Sequence, residues 1–186
     1  WNKLNPSLKD SGIKISFNHI IMKVLAKALM EFPEVNSSLS GDDLIMHPEA
    51  NIGLAVALDN GLIVPNIKGC DSKSLSQIAL ETEEKIKAAK SNKLGMDDLT
   101  GATCTITNLG MFGIESFTPI INQPELAIWG ICAIIDTPVA RDGQVVIRPM
   151  MNLSLVADHR VVDGAVAAAF IQRIKEYLEN PYLLLA

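Results

Sequence analysis

Apolar residues recur at intervals of three and four in three stretches of the chain, and a helix is expected in each. In the first, Phe17, Ile20, Ile21, Val24, Leu25, Ala28 and Leu29 line one broad face, Ser16 stands at the N-cap, and Phe32-Pro33 stops the run. In the second, Ser74-Leu75-Ser76-Gln77 has the form of a capping box. Leu75, Ile78, Ala79, Thr82, Ile86 and Ala89 point inward there, and Glu81, Glu83, Glu84 and the lysines point outward, with Glu83 and Lys87 spaced to pair. In the third, Val166, Phe170, Ile174, Tyr177 and Leu178 keep helical spacing until Asn180-Pro181.

The segments between them read as strands. Ile52 to Leu58 and Leu62 to Ile67 are aliphatic runs joined by Asp59-Asn60-Gly61, a hairpin signal, which puts Pro65 toward a sheet edge. Thr103 to Thr107 is strand-like, and Gly110 and Gly113 after it miss the dinucleotide-binding spacing, so they are read as sharp turns or close backbone approaches. Glu125 to Ile135 and Gln144 to Ala157 are long strands around a turn at Arg141-Asp142-Gly143, with Pro138 and Pro149 marking where either leaves the sheet. The pattern is mixed α/β, with helices on one face of a largely β layer.

Composition narrows this picture. A chain of 186 residues, 48% hydrophobic and 20% charged, suits one domain with a sizeable core. The net charge of −5 and the lack of a clustered Lys/Arg footprint argue against a nucleic-acid partner, since Lys85, Lys87, Lys90 and Lys93 fit a solvated helix face. No apolar run has the length of a membrane span, and no signal-peptide pattern opens the chain. The polar first ten residues read as a linker, and the start at Trp1 reads as that of a fragment. Cys70, Cys104 and Cys132, odd in number and in apolar settings, are expected to be buried thiols in a reducing compartment.

One stretch carries candidate chemistry. Asn152 to Ala157 alternates as a half-buried strand does, and the third helix begins after Gly164, so Asp158-His159-Arg160-Val161-Val162-Asp163-Gly164 is a strand-to-helix turn. Asp163 sits at the N-cap, Gly164 relieves the backbone, and the His159 imidazole projects. On these residues alone a surface turn with an N-cap aspartate explains the pattern as well as a catalytic histidine does. A metal site fits poorly, because no second histidine or cysteine pair lies near. His19, with no carboxylate or hydroxyl expected beside it, and His47 both read as structural. Thr107 alone reads as a strand-end residue packing its methyl.

The heptapeptide and five upstream or downstream blocks together resemble the catalytic domain of the dihydrolipoamide acyltransferases. The blocks are Phe32-Pro33 with Asn36-Ser37-Ser38, then Asn51-Ile52-Gly53, Gly61 to Pro65, Thr105 to Gly110, and Tyr177 to Pro181, covering essentially the whole chain. The resemblance implies a chloramphenicol acetyltransferase-like two-layer sandwich over residues 1–186, with a mixed sheet, helices packed on one face and an N-terminal part missing. That part ordinarily supplies a strand, a helix and an arginine for the aspartate matching Asp163. The implied reaction passes an acyl group, acetyl by preference, between dihydrolipoyl and coenzyme A. His159 would be the general base, Thr107 would stand where the family has an oxyanion-stabilising serine, and Asp163 would fix the turn. Ser16 and Asn108 would line the coenzyme A channel, with histidine and hydroxyl coming from different subunits of a homotrimer. The trimer would build a multienzyme core with a lipoyl domain, a decarboxylase and dihydrolipoamide dehydrogenase as partners. Its setting would be the cytoplasm of a bacterium or archaeon, or the mitochondrial matrix. A small-molecule O-acetyltransferase and a non-catalytic core subunit are the alternatives, and retention of His159 argues against the latter.

Overall fold

The computed structural model describes Asn5 and residues 12–185, so the linker expected over the first ten residues lies, Asn5 apart, outside the described residues. Helix α1 spans Phe17–Leu29 and opens with a capping box in which the Ser16 hydroxyl accepts from the His19 amide while His19 Nδ1 accepts from the Ser16 amide. A histidine thus plays the part usually taken by Glu or Gln. This corrects the expectation that His19 has no hydroxyl beside it. The buried face also differs from the expected stripe, because Phe17 is 43% exposed while Met22 and Ala26 are buried. The cause is packing on several sides. The α1 face meets helix α2 (Leu75–Lys90) through Met22 and Thr82, and the turn after it meets the helix Gly164–Glu179 through Phe32 and Phe170.

Strands β1 (Ser37–Ser40) and β2 (Asp43–Met46) form a hairpin about Gly41-Asp42 that was not expected. Each of the two strands expected around Asp59-Asn60-Gly61 is split in two. Strand β3 (Ile52–Leu54) pairs with β6 (Asn66–Ile67) inside the main sheet, while β4 (Val56–Leu58) and β5 (Gly61–Ile63) make a separate hairpin. The division falls at Ala55, whose amide turns to the Ile106 carbonyl, and at Pro65, beside the edge strand β6 as expected. Helix α2 has the Ser74–Gln77 capping box and buries Ile78, Ala79, Thr82 and Ala89. A short α3 (Met96–Leu99) is tied to α2 by the Lys85–Asp98 ion pair.

The main sheet runs β6-β3-β7-β8-β9, with β7 spanning Cys104–Asn108, β8 Ala127–Arg141 and β9 Gln144–Ala157. The pairs β3–β7 and β7–β8 are parallel and the others antiparallel, so the sheet is mixed. Ile52, Leu54, Cys104, Ile106, Ala127, Trp129 and Ile131 face the core shared with α1, α2 and α4 (Gly164–Glu179). Alternation sends Gly53, Thr105 and Gly130 to the opposite face, where the Phe117 ring covers Gly130. The helices therefore lie on one face. Phe170 seats between Phe32 and Trp129, and burying such a ring stabilises the fold by about 1.5–3 kcal/mol.

Beyond Ile131 the β8–β9 pair leaves the sheet as a two-stranded ribbon, and neither proline ends it. Asp136 pairs with Pro149 and Pro138 with Ile147 before the two-residue turn at Asp142-Gly143. A two-stranded ribbon has an open edge on each strand, where a missing N–H removes no ladder bond. Asp142 and Gly143 both take positive φ, as the tight turn demands. Strand β8 also starts at Ala127, leaving Glu125 outside it. All three cysteines are buried and free. Gly110 is read correctly as a close approach, because an added Cβ would lie 2.6 Å from the Cys132 carbonyl oxygen.

Candidate active site

The heptapeptide forms the connection between β9 and α4, and both of its ends are fixed. At its start, the Asp158 amide donates to the Leu126 carbonyl at 2.8 Å, which extends the β8–β9 pairing by one step. The Asp158 carbonyl then accepts from the Val161 and Val162 amides at 3.1 and 2.9 Å, and the Val162 side chain is buried. At its end, Asp163 Oδ1 accepts from the Ala165 and Val166 amides at 2.8 and 2.9 Å, so the expected N-cap is present. Between these anchors His159 is exposed, and its ring makes no hydrogen bond among the described residues. The order in this turn is a property of its backbone and its neighbours, and the imidazole is left free to meet something else.

Arg160 supplies a feature not foreseen from the sequence. Its guanidinium forks onto Asp158, with Nε at 2.9 Å from Oδ1 and Nη2 at 2.6 Å from Oδ2. These bonds hold the Asp158 carboxyl below the ordinary carboxylate range. Asp158 is thereby committed to its neighbour two residues on and does not pair with His159.

Thr107 lies half-buried near the end of β7, and its hydroxyl has no hydrogen-bond partner among the described residues. It stands opposite Gly130 in the register, and the Phe117 ring covers Gly130. Asn108 is held on both sides, with Nδ2 donating to Asn18 Oδ1 at 2.7 Å and Oδ1 accepting from the Gly110 amide at 2.8 Å. Because Asn18 is in the first turn of α1, this bond brings Asn108 and Thr107 to the helix end that Ser16 caps. The Ser16 hydroxyl is part of that cap. Ser16 and Asn108 therefore meet at one end of β7 on the helix side of the sheet, while the Thr107 side chain at the same strand end projects from the opposite face.

His159 and Asp163 lie elsewhere. The Thr107–Gly130 row continues to Ser154 on β9. Ala157, at the rise of about 3.3 Å per residue, is about 10 Å farther along and two strands across from Thr107. His159 lies beyond Ala157. Within one chain the imidazole and the Thr107 hydroxyl cannot contact one reacting group.

Burial also shifts the titration of His19 and Glu125. His19 is buried, which lowers its pKa and leaves it neutral, consistent with Nδ1 accepting in the cap. Glu125, only 3% exposed, is pushed up to about 7 by burial, opposed by hydrogen bonds from Thr105 and Asn122. An acid inside Pro124-Glu125-Leu126-Ala127-Ile128 was the available sequence signal for it. Among the described residues no group of three or more His, Cys, Asp or Glu side chains is arranged to hold a metal ion.

With this geometry in place, the chain can be compared with known proteins. It is 42% identical over 98% of its length to the dihydrolipoyllysine-residue acetyltransferase component of the acetoin cleaving system of Bacillus subtilis, covering 46% of that protein. It is also 42% identical over 95% of its length to the dihydrolipoyllysine-residue succinyltransferase component of the 2-oxoglutarate dehydrogenase complex of Haemophilus influenzae, covering 43% of that protein. The chain thus spans less than half the length of these curated relatives. Among solved structures, dihydrolipoamide acetyltransferase of Azotobacter vinelandii superposes with a TM-score of 0.93 at 40% identity, over 98% of this chain and 76% of that one. A chloramphenicol acetyltransferase at 15% identity shares the fold alone, with a TM-score of 0.58 over 94% of this chain and 82% of that one. The family described as 2-oxoacid dehydrogenases acyltransferase (catalytic domain) matches residues 1–186, and the chain belongs to that family.

Proposed function

We propose that residues 1–186 form an acyltransferase domain that moves an acyl group between a dihydrolipoyl thiol and coenzyme A, with His159, Thr107 and Asp163 as its working residues. One observation carries the assignment. The Azotobacter structure concerns a serine, a histidine and an asparagine in the catalytic mechanism; the serine precedes that histidine by 52 residues and the asparagine follows it by four. Thr107 and Asp163 stand at the same two spacings from His159, on a fold that superposes over 98% of the chain.

The chemistry follows from what each group can do. A coenzyme A thiol is mostly protonated near neutrality, and a neutral imidazole nitrogen of His159 takes its proton as sulfur attacks the thioester carbonyl. The carbonyl oxygen gains the negative charge, and the unpartnered Thr107 hydroxyl donates to it, a contribution of about 10²–10³ in rate. Collapse breaks the bond to the dihydrolipoyl sulfur, which takes the proton back from the imidazolium. Asp163 touches no reacting atom and holds the turn. Ser16 and Asn108, at the Thr107 end, would contact coenzyme A.

Because one chain separates His159 from Thr107, the reading requires a second copy that brings its own Thr107 to this His159. The projecting β8–β9 ribbon supports such an assembly, since it exposes Ile135, Val145, Ile147 and Met150 along its length. A closed homotrimer serving lipoyl domains inside a multienzyme core is the assembly proposed. Relatives at equal identity are named for acetyl and for succinyl transfer, and acetyl is the acyl group proposed here. Purified protein incubated with S-acetyl or S-succinyl dihydrolipoamide and coenzyme A should form the coenzyme A thioester, fastest from acetyl, and His159→Ala should abolish it. A folded His159→Ala protein with undiminished turnover would overturn the proposal.

A further inference from the structure

Glu125 is a buried acid that the mechanism above does not use. Its Oε1 accepts from the Thr105 hydroxyl at 2.9 Å and from Asn122 Nδ2 at 2.8 Å. Its Oε2 is buried with no hydrogen-bond partner among the described residues. Buried polar atoms are almost always satisfied, so an exception beside two site elements calls for an explanation. The bond to Thr105 reaches β7, and side chains two apart on a strand share a face, so Thr105 and Thr107 project together about 7 Å apart. The next residue reaches the other half of the site, because the Leu126 carbonyl is the acceptor for the Asp158 amide beside His159. A backbone bridge from Glu125 to Ser38 and a bond from the Leu39 amide to the Pro124 carbonyl hold this segment from a third side.

Building on the transferase reading, we propose that Glu125 is a positioning residue that ties the Thr107 strand to the His159 turn and does so as a neutral, protonated acid. If neighbouring chains share each site, these two elements of one chain serve two different sites, and Glu125-Leu126 is the strut between them. Ionisation would place a charge on a group whose Oε2 has no donor to receive it. The surroundings offer little compensation. The Cys104 thiol on β7 is buried and pushed to higher pKa by that burial and then by Glu125 itself. Asp158 and Arg160, which line a cavity of about 300 Å³ together with Glu125, are already paired to one another. His47, bonded to the Ser38 hydroxyl, has its pKa lowered by burial and stays neutral. An ionised Glu125 would therefore seek solvent, and the segment from Asn122 to Leu126 would shift with it.

The test uses Glu125→Gln, which keeps the acceptor oxygen and cannot ionise, and Glu125→Leu, which keeps bulk and removes the acceptor. Turnover and KM for coenzyme A and dihydrolipoamide are measured between pH 5.5 and 8.5, alongside amide hydrogen exchange at Asp158 and Thr107 corrected for intrinsic rates. The wild-type kcat should show a descending limb near pH 7 that Glu125→Gln lacks. Glu125→Leu should lose about tenfold or more in kcat at every pH with KM little changed, as misplacement without lost binding does. Protection of the Asp158 amide should fall above pH 7 in the wild type and stay level in Glu125→Gln. A protein without transferase activity would sink the transferase reading but leave the exchange measurement, which decides the strut by itself. Identical exchange profiles in wild type and Glu125→Gln, or a folded Glu125→Leu with wild-type kcat, would overturn the proposal.

Discussion

Replacing Asp163 with alanine removes one oxygen that accepts from both the Ala165 and Val166 amides. The two donors lie in the exposed first turn of α4, so water can reach them once the carboxylate is gone. The cost is then that of a lost N-cap, about 1 kcal/mol, and not that of buried orphan donors. For a domain of this size that lowers the melting temperature by roughly 2–4 °C. The same change should reduce kcat, because the far anchor of the His159 turn is released while the Asp158–Leu126 anchor remains. Asp163→Asn separates the two effects. Asparagine caps as well as aspartate, so stability should be unchanged and most of the turnover retained. Differential scanning calorimetry and steady-state transfer assays on the three proteins give the answer. An Asp163→Ala protein with an unshifted melting temperature, or an Asp163→Asn protein as impaired as the alanine variant, would refute the capping argument.

Other expectations follow from single contacts. Thr107→Ser should retain transfer and Thr107→Val should lose about 10²–10³ in kcat if the hydroxyl is the oxyanion donor, and equal rates for both would remove it from the mechanism. Glu125 has its folded-state pKa raised to about 7, so the folded chain holds a proton that the unfolded chain releases. Its stabilising contribution is full below about pH 4.5 and is lost as pH rises through 7, a change of roughly 3 kcal/mol that Glu125→Gln should abolish in denaturant titrations across that window. Gly110→Ala should destabilise by about 1–3 kcal/mol in the same assay, since its Cβ would fall 2.6 Å from the Cys132 carbonyl oxygen.

What the sequence made legible was local. The Ser16 and Ser74 caps, the Asp163 cap and the Asp142-Gly143 turn each depend on residues within four positions of one another, and each is found as expected. Features depending on tertiary placement were hidden. Pro138 and Pro149 read as strand ends because the cost of a missing N–H depends on whether the strand has an open edge, and the ribbon supplies one. The role of Glu125 needed the parallel β7–β8 pairing that brings Thr105 to it across 20 residues. The β1–β2 hairpin could have been read from Gly41-Asp42, but its strands of four residues carry no clear alternation. The separation of His159 from Thr107 is a matter of sheet register, which no local pattern encodes.

On the proposed reading each reacting site is built by His159 of one chain and Thr107 of another. Equal amounts of His159→Ala and Thr107→Ala protein, unfolded together and refolded, test it directly. With random assembly into closed trimers, about a quarter of the interfaces join an intact His159 to an intact Thr107. The mixture should recover about that fraction of wild-type turnover, well above either parent. Activity that stays at the mean of the two parents, in samples where native mass spectrometry confirms mixed trimers, would contradict the shared site.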